Sequence, residues 1–508
     1  MDIIRIDGDN LTPEMVHKVA RNYIYVEIDE SAIKKIEESR DFIEKILTEK
    51  KTHYGINTGF GAFESIRIPP EDLQKLQVNL IRSHSAGVGE PLPTDVVRAM
   101  MLLRANALCR GHSGVRLEIV RLLVDMLNKC VHPVVPSRGS VGASGDLAPL
   151  AHIALSMIGE GKSEYRGEIL PGGEALQRAG LKPAILCEKE GLALINGTQM
   201  MAGIGTLILR DMEKLILVAD AAGALSTEVL MGTDRAFIPE IQEVRPHMGQ
   251  IESAGNLLKF TEGSEMIKSH GNCPRIQDAY SIRCIPAVHG ASRESCKFAR
   301  RILCVEINSS VDNPLVFPDI QQIVSGGNFH GAPVALVLES MALGLAFIAN
   351  ISERRIERMV NHHYSNGLPP FLSPEAGLQS GMMIAHYTAA ALASENKVLC
   401  HPACCDTIPT SAGQEDCVSM GSISALKLMN IFNNTVNIVA IELLCASEAV
   451  EHRSPHQPGR ITGIIYQKIR NEIQPLSCDR PLSEDIEKVA ELIKHEGFIG
   501  EIEETMKA

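Results

Sequence analysis

The hydrophobic residues of this chain recur at intervals of three and four over long stretches. That spacing places apolar side chains on one face of an α-helix. In the last of these stretches the apolar positions nearly encircle the helix, which predicts a central rod buried on most sides. Several such rods indicate a helix bundle. The stretches are 95–129, 203–231, 292–308, 333–360, 381–398 and 418–451.

Signals for β-strands are few and short. The clearest spans residues 163–170, before a turn at 171–173. Strands and helices do not alternate as a doubly wound sheet would require. The pattern therefore predicts a mainly α fold, a long-helix bundle with few short strands. A boundary near residue 200 would separate a mixed, loop-rich domain (1–200) from a central and C-terminal long-helix bundle (201–508).

Composition agrees with helices and argues against several kinds of partner. Aromatic residues make up 4% of the chain, with no Trp, so the core must consist of Leu, Ile, Val, Ala and Met. The 62 acidic and 49 basic residues give a net charge of -13, and such a surface repels nucleic-acid phosphates. We therefore expect no nucleic-acid partner.

The sequence also argues against a membrane or secreted location. The opening MDIIRIDGDN has acids where a secretory signal would carry basic residues. The most apolar segment, 333–350, contains Glu339 near its middle, and a carboxylate is costly at a bilayer centre. We expect a buried bundle helix there, no membrane partner and a cytoplasmic protein.

The thirteen cysteines show no regular pairing framework and are expected to be reduced thiols. The segment 400–406 combines three of them with His401 and Asp406. It lacks a second C-x-x-C element, so no metal site is predicted there.

The most unusual segment is 136–151, PSRGSVGASGDLAPLA, in which Gly139, Gly142 and Gly145 allow tight backbone bends. Asp146 then opens an apolar helical pattern. The segment has Gly-Asp where a P-loop needs Gly-Lys-Ser/Thr, and it lacks a dinucleotide G-x-G-x-x-G. A G-x-S-x-G nucleophile elbow would need Gly at position 146. From the pattern alone, a glycine-rich loop that enters a helix and has no catalytic role is as good an interpretation as a catalytic turn.

Residues 139–151, GSVGASGDLAPLA, resemble the signature of the histidine/phenylalanine/tyrosine ammonia-lyase family. Further motifs of that family follow in order through nearly the whole chain. They are 54–61 (YGINTGFG), 83–87 (SHSAG), 192–199 (LALINGTQ), 277–284 (QDAYSIRC), 306–317 (EINSSVDNPLVF), 326–333, 352–356 and 388–420.

The resemblance implies a helical architecture like that of fumarase and aspartase, and a prosthetic group made from the backbone. In the family the nitrogen of the residue at Gly145 attacks the carbonyl carbon of Ala143. Loss of water, including the Ser144 hydroxyl, gives a 4-methylideneimidazol-5-one (MIO) ring whose methylene is electrophilic. These residues must be small, because any Cβ on Gly145 would obstruct the closure. No external cofactor is implied.

The resemblance also implies a base that removes the substrate's β-proton, and Tyr54 matches it. A free Tyr titrates near about 10, so the site would have to stabilise the phenolate through neighbouring charge or helix dipoles. Attachment of the substrate amine to the electrophile makes nitrogen a better leaving group, a form of covalent catalysis.

Five further residues take roles by resemblance. If helical, Gln277, Tyr280 and Arg283 fall within an arc of about 120° and can face one pocket. Arg283 would pair with the substrate carboxylate, which suits its planar fork. Asn196 and Gln277 would supply hydrogen bonds near the ring or carboxylate, and Tyr280 would hold the ring or relay protons. Phe329 would pack against the ring, although for Gln277 and Phe329 a structural role is nearly as good an interpretation.

Two polar residues are similar to the histidine branch of the family. The chain has His84 where phenylalanine and tyrosine enzymes carry an aromatic-Leu or His-Leu pair, and Glu415 where phenylalanine enzymes have Gln. An imidazole offers two nitrogens to this pair, whereas a benzene ring would leave both groups buried and unpaired, at about 1–3 kcal/mol each. The resemblance thus implies deamination of L-histidine to urocanate, the first step of histidine degradation.

Some positions depart from the family pattern. Gly413 and Cys417 stand where Asn and His are common, and 386–387 and Cys400 also differ from the histidine branch. Tyrosine or phenylalanine ammonia-lyase or aminomutase activity on the same electrophile is therefore an alternative.

Two alternatives of other classes stay open. One is an acid–base lyase of the fumarase kind, although its GSS-x-M-P-x-K loop is missing; the other is a non-catalytic helical scaffold. By resemblance we expect a homotetramer with shared active sites and a small amino-acid substrate.

Overall fold

Helices dominate the computed structural model, which describes residues 3–48, 53, 55–59, 61–63, 66–271 and 275–507. The helices are α1 (Pro13–Arg21), α2 (Glu30–Leu47), α3 (Leu73–His84), α4 (Thr94–Cys109), α5 (Leu117–Asn128), α6 (Leu147–Met157), α7 (Gly172–Arg178), α8 (Glu190–Ile195), α9 (Gln199–Val229), α10 (Pro239–Glu243), α11 (Met248–Phe260), α12 (Glu265–Ser269), α13 (Tyr280–Arg283), α14 (Ile285–Glu306), α15 (Ala332–Val360), α16 (Met383–Leu399), α17 (Gly421–Glu451), α18 (Arg460–Glu472), α19 (Ser483–Lys494) and α20 (Glu496–Lys507).

The strands are short and form small separate sheets. They are β1 (Ile3–Ile6), β2 (Tyr25–Ile28), β3 (Val88–Pro91), β4 (Val131–Pro133), β5 (Pro136–Arg138), β6 (Lys162–Tyr165), β7 (Glu168–Pro171), β8 (Leu315–Phe317) and β9 (Gln322–Val324). β1 and β2 pair in parallel, in register from Ile3 opposite Tyr25. β3–β5, β4–β6–β7 and β8–β9 are antiparallel. The single strand predicted over 163–170 is wrong, because β6 and β7 form a hairpin around a turn at Arg166 and Gly167.

The predicted stretch 95–129 is two helices. α4 and α5 are separated by residues 110–116, where Gly111 and Gly114 have φ values of +75° and +66°. A Cβ on Gly111 would lie 2.6 Å from the Lys35 carbonyl oxygen, so the chain turns there against α2. The apolar periodicity continues across the break and does not reveal it.

Two helices, α15 and α17, are long and apolar enough to cross a bilayer by length and composition. In their most apolar windows 67% and 72% of the residues are buried inside the protein, as in core helices. Glu339 of α15 is 6% exposed, and its carboxylate accepts hydrogen bonds from the Ala403 amide (2.9 Å) and the Ser424 hydroxyl (2.6 Å). The polar group in the apolar segment is therefore satisfied by the protein, as predicted for a bundle helix.

The chain divides into two units. The first comprises Met1–Arg210, Ala299–Glu339 and Pro402–Leu426, and the second Asp211–Phe298, Ser340–His401 and Lys427–Ala508. The simple boundary near residue 200 stays a prediction, and both units take residues from α9, α14, α15 and α17.

Helix α4 is the centre of the first unit. Every residue of α4 from Val96 to Cys109 is buried, and α1, α2 and α5 pack against the helix. Helices α3 and α8 pack against α6, which begins directly after the glycine-rich turn. In the second unit α18 packs against α11 and α20, and the ion pair of Arg355 and Glu442 is fully buried. No cysteine in the described ranges takes part in a disulfide.

Candidate active site

The glycine-rich turn lies between β5 and α6. Gly142 and Gly145 have φ values of +70° and +77°, which L side chains rarely adopt. A Cβ on Gly145 would lie 2.2 Å from the Gly197 carbonyl oxygen, and one on Gly142 would lie 2.2 Å from the Ser419 hydroxyl. Both positions therefore accept only glycine. The Ser140 hydroxyl closes the turn, since it accepts from the Gly142 amide (3.0 Å) and donates to the Gly145 carbonyl (3.1 Å).

Asp146 connects the turn to α9. Its carboxylate is fully buried and accepts hydrogen bonds from the amides of Met200 (2.9 Å) and Met201 (3.0 Å), in the first turn of that helix. The Ser422 hydroxyl donates a third, at 2.6 Å. Burial raises the pKa of Asp146 to about 6, against these hydrogen bonds. A carboxylate at a helix N-terminus also interacts favourably with the helix dipole, so Asp146 acts as a cap supplied from the turn.

The strip Asn196–Gly197 runs alongside the turn and pairs with it. The Gly197 amide donates to the Ser144 carbonyl oxygen (3.2 Å), and the Asp146 amide donates to the Gly197 carbonyl (2.7 Å). The Asn196 side-chain amide donates to the Asn313 carbonyl (3.0 Å). Its Oδ1 is buried and has no hydrogen-bond partner in the described ranges, so Asn196 holds an acceptor available to a bound donor.

Glu415 reaches the turn from the loop 410–416. Its Oε1 lies 3.3 Å from the Ser144 hydroxyl, which donates to it, and its Oε2 accepts from the Thr410 hydroxyl at 2.7 Å. Ser411 and Ala412 between them have φ values of 51° and 54°, the left-handed conformation that bends this loop back on itself. The loop thereby holds Glu415 beside Ser144, from which the family resemblance derives the electrophilic methylene.

His84 is the last residue of α3. Its Nδ1 lies 2.9 Å from the Leu80 carbonyl, which can only accept, so Nδ1 carries the hydrogen. Burial lowers the pKa of His84, an effect opposed by the Leu80 carbonyl and the charge of Glu415. The ring is therefore neutral at neutral pH, with Nε2 as an acceptor. The structure brings His84, Glu415, Ser144 and Asn196 together in the first unit.

The other predicted site residues are not all in this group. Phe329 belongs to the same unit and lies half-buried in a turn before α15. Tyr54 lies outside the described residues, so its predicted role has no structural account.

Gln277, Tyr280 and Arg283 belong to the second unit. Gln277 is exposed and precedes α13. The predicted arc of three residues on one helix therefore does not form, because Gln277 is not helical. The Arg283 guanidinium lies 4.5 Å from the centroid of the Tyr280 ring, and its Nε is buried with no hydrogen-bond partner among the described residues.

Sequence reasoning missed several residues that hold the site. The sequence predicts only the start of a helix at Asp146 and assigns no role to Arg104 or Ser422. Arg104, on α4, donates from Nη1 to the Asn196 carbonyl at 2.6 Å. A signal existed for Arg104, because it interrupts the apolar run MMLLRANALC. Ser422 carries no comparable signal.

The comparison with known proteins agrees with this geometry. The family model described as "Aromatic amino acid lyase" matches residues 11–471. The histidine ammonia-lyase of Caldanaerobacter subterraneus subsp. tengcongensis is 53% identical over 507 residues, which is 100% of this chain and 99% of that protein.

Two solved structures superpose on the whole chain. The histidine ammonia-lyase of Trypanosoma cruzi gives a TM-score of 0.91 at 43% identity, covering 100% of this chain and 95% of that one. The tyrosine aminomutase of Streptomyces globisporus gives 0.93 at 35% identity, covering 100% and 98%.

Fold and turn thus define a mainly helical lyase whose glycine-only turn is buried beside a helix N-terminus. The chain belongs to the aromatic amino acid lyase family. The predicted helical fold, the family resemblance and the class of enzyme, a carbon–nitrogen lyase, are confirmed.

Proposed function

We propose that this protein removes ammonia from L-histidine to give trans-urocanate, the first step of histidine degradation. The observation that carries the substrate assignment is the position of Glu415, whose carboxylate contacts Ser144 and lies near His84. Burial lowers the pKa of His84, and the charge of Glu415 only partly opposes that shift. The histidine ammonia-lyases that match this chain over its full length support the same assignment.

We further propose that Ala143, Ser144 and Gly145 form the MIO ring. The turn fits that group, because Gly145 has a positive φ and no room for a Cβ. Gly197 would hold the ring through its amide on the Ser144 carbonyl, and Asp146 would anchor the following helix. Once formed, the ring supplies an electrophilic methylene that takes up the amino group of the substrate. No external cofactor is required.

The imidazole of histidine suits the polar pair at the turn. The neutral His84 ring offers Nε2 as an acceptor, and the Glu415 carboxylate is a second acceptor. A neutral substrate imidazole has one N–H, which donates to one of these groups, and the imidazolium form has an N–H for each. A phenyl ring would donate to neither group, so the hydrogen bond that His84 or Glu415 accepts from the imidazole would be lost, at a cost of about 1–3 kcal/mol. This difference selects histidine over phenylalanine.

The other roles follow the family pattern. Arg283 would bind the substrate carboxylate, and its partnerless Nε supports this role. Asn196 would accept a hydrogen bond at its open Oδ1. Gln277 would contribute a hydrogen bond near the carboxylate, Tyr280 would hold the substrate or relay protons, and Phe329 would pack against the ring. Tyr54 would remove the β-proton.

We propose a cytoplasmic homotetramer in which residues of different subunits complete each site. The test of function is product formation by the purified protein. We expect urocanate from histidine, and neither coumarate from tyrosine nor cinnamate from phenylalanine at a comparable rate. Because a tyrosine aminomutase shares the fold, β-tyrosine should be assayed as well. Coumarate or a β-amino acid as the main product would contradict the proposal.

A further inference from the structure

Helix α4 carries two arginines inside the core of the first unit, and their surroundings differ. Arg98 and Arg104 are each 1% exposed. The Arg98 guanidinium donates to the carbonyls of Val19, Ala20 and Leu127, so its donors are used by ordinary main-chain acceptors. Arg104 donates from Nη1, while its Nε and Nη2 have no hydrogen-bond partner among the residues that the structure describes. A buried guanidinium with idle donors is costly, and stability does not explain it.

Within the described part of the chain, no carboxylate forms an ion pair with the Arg104 guanidinium. Lys189 and Asp312 nearby form their own fully buried ion pair, at 2.6 Å. Asp312 partly offsets the effect of burial, which lowers the pKa of Arg104 to about 10. The Arg104 guanidinium therefore keeps its positive charge at neutral pH. Since the charges of Lys189 and Asp312 cancel, these three residues together carry one net positive charge.

The one strong contact of Arg104 falls on the strip that pairs with the turn. Nη1 lies 2.6 Å from the carbonyl oxygen of Asn196, and a Cβ on Gly197 would lie 2.8 Å from the same nitrogen. The carbonyl of Asn196 and the amide of Gly197 belong to one peptide group. In a trans peptide these two groups point in opposite directions. Arg104 thus holds one end of a peptide whose other end donates to the Ser144 carbonyl at 3.2 Å.

We infer that Arg104 is a positioning residue for the elimination, which polarises the Asn196–Gly197 peptide and so strengthens the hydrogen bond that Gly197 donates to the Ser144 carbonyl. This inference rests on the proposed function. A cation at the oxygen of a peptide draws electron density toward that oxygen and makes the N–H a stronger donor, as in other chains of hydrogen bonds. A stronger donor on a carbonyl conjugated to an alkene makes the alkene carbon a better electrophile.

The experiment compares Arg104→Met and Arg104→Lys with Arg98→Met. The control removes an equally buried arginine from the same helix, six residues away, that contacts neither the strip nor the turn. Intact mass gives the fraction of chains that have lost two waters. Steady-state kinetics gives kcat per ring-bearing chain and KM for histidine. The rate at which cyanide bleaches the ring absorption reports electrophilicity without substrate turnover.

We expect kcat of Arg104→Met to fall roughly 10²-fold, the effect of weakening one preorganised donor. KM should stay within about threefold, because the substrate does not contact Arg104. The cyanide reaction should slow in step with kcat. Arg104→Lys should recover part of both rates, since it keeps the charge. Arg98→Met should lower thermal stability without slowing the cyanide reaction.

The inference is overturned if Arg104→Met matches Arg98→Met in kcat and in cyanide rate, or if only KM changes. If Arg104→Met does not fold or carries no ring, Arg104→Lys is judged against wild type by the same two rates. Absence of the ring from both Arg104 variants, with a complete ring in Arg98→Met, would also overturn it. Failure of the proposed function is distinguishable, because the wild-type protein would then make no urocanate.

Discussion

The carbonyl oxygen of Gly197 occupies the place that a side chain on Gly145 would need. The two glycines form a parallel bridge, and a Cβ on Gly145 would lie 2.2 Å from that oxygen and 2.9 Å from the Gly197 Cα. This close approach brings two main-chain segments into contact at the turn. The φ of Gly145, +77°, is a second and independent reason why this position requires glycine.

The variant Gly145→Ala tests this relationship. The added methyl group must displace main-chain atoms of Gly197, so we expect the ring not to form and urocanate production to fall below detection. The measurement is the intact mass of the purified chain together with activity. Gly255→Ala is the control, because no atom lies within 4 Å of a Cβ there. An active, dehydrated Gly145→Ala would show that the close approach is unimportant.

Glu415 should determine substrate choice. Glu415→Gln keeps the shape of the side chain but removes the charged acceptor, which is worth about 1.5–3 kcal/mol in a hydrogen bond. We expect kcat/KM for histidine to fall roughly 10–10²-fold, with little change in whatever rate the wild-type protein shows with phenylalanine. The neighbouring Asp416→Asn, at an exposed position, should leave both values unchanged. Equal loss for the two substrates in Glu415→Gln would argue against recognition of the imidazole by this carboxylate.

His84 should give the affinity for histidine a pH dependence. Burial lowers the pKa of His84 below its ordinary 6.5, so Nε2 is an acceptor above that lowered pKa and becomes a donor as the pH falls through it. KM for histidine should rise on the acidic side. The substrate imidazole titrates in the same range. The variant His84→Gln has no ring at position 84, so its KM profile reports the titration of the substrate alone and the difference from wild type reports His84. Identical KM profiles for wild type and variant between about pH 5 and 8 would contradict this role.

Glu228, at the end of α9, should make stability depend on pH. Its carboxylate is buried and accepts from the Gly459 amide (2.6 Å), and burial raises its pKa from 4.5 to about 7. Because the carboxyl pKa is higher in the folded state, its contribution to the free energy of unfolding is complete below about pH 4.5. That contribution is lost as the pH rises from about 4.5 to about 7.

The neutral variant Glu228→Gln should therefore melt a few degrees above wild type at about pH 8 and close to it at about pH 4.5. Thermal unfolding at the two pH values measures this difference. The exposed Glu472→Gln should show no such dependence. An equal shift at both pH values would mean that the Glu228 carboxyl does not titrate in this range.

The sequence predicted the helices from local periodicity, and it failed where distant residues set their limits. Helix α9 was expected from residue 203 but begins at Gln199, because Asp146 caps Met200 and Met201 from more than fifty residues away. The break after α4 was missed for the same reason: its glycines are required by contact with α2 rather than by a change in hydrophobicity.

The candidate site shows the same division. The glycines of the turn and the pair His84 and Glu415 could be found from the sequence only through their resemblance to the motifs of the family, because the residue pattern alone fits a glycine-rich loop equally well. Arg104 could not be assigned a role, because its contact with Asn196 is set by the packing of α4 against a loop 92 residues further along the chain. The role of a buried polar residue depends on its hydrogen-bond partners, and these are known only from the fold.

The intact mass of the active, purified protein, with peptide mapping across residues 143–145, tests the central claim most directly. We predict a chain lighter by two waters, with the whole deficit in the peptide that contains Ala143, Ser144 and Gly145. A preparation that converts histidine to urocanate at full rate while this peptide keeps its unmodified mass would contradict the account.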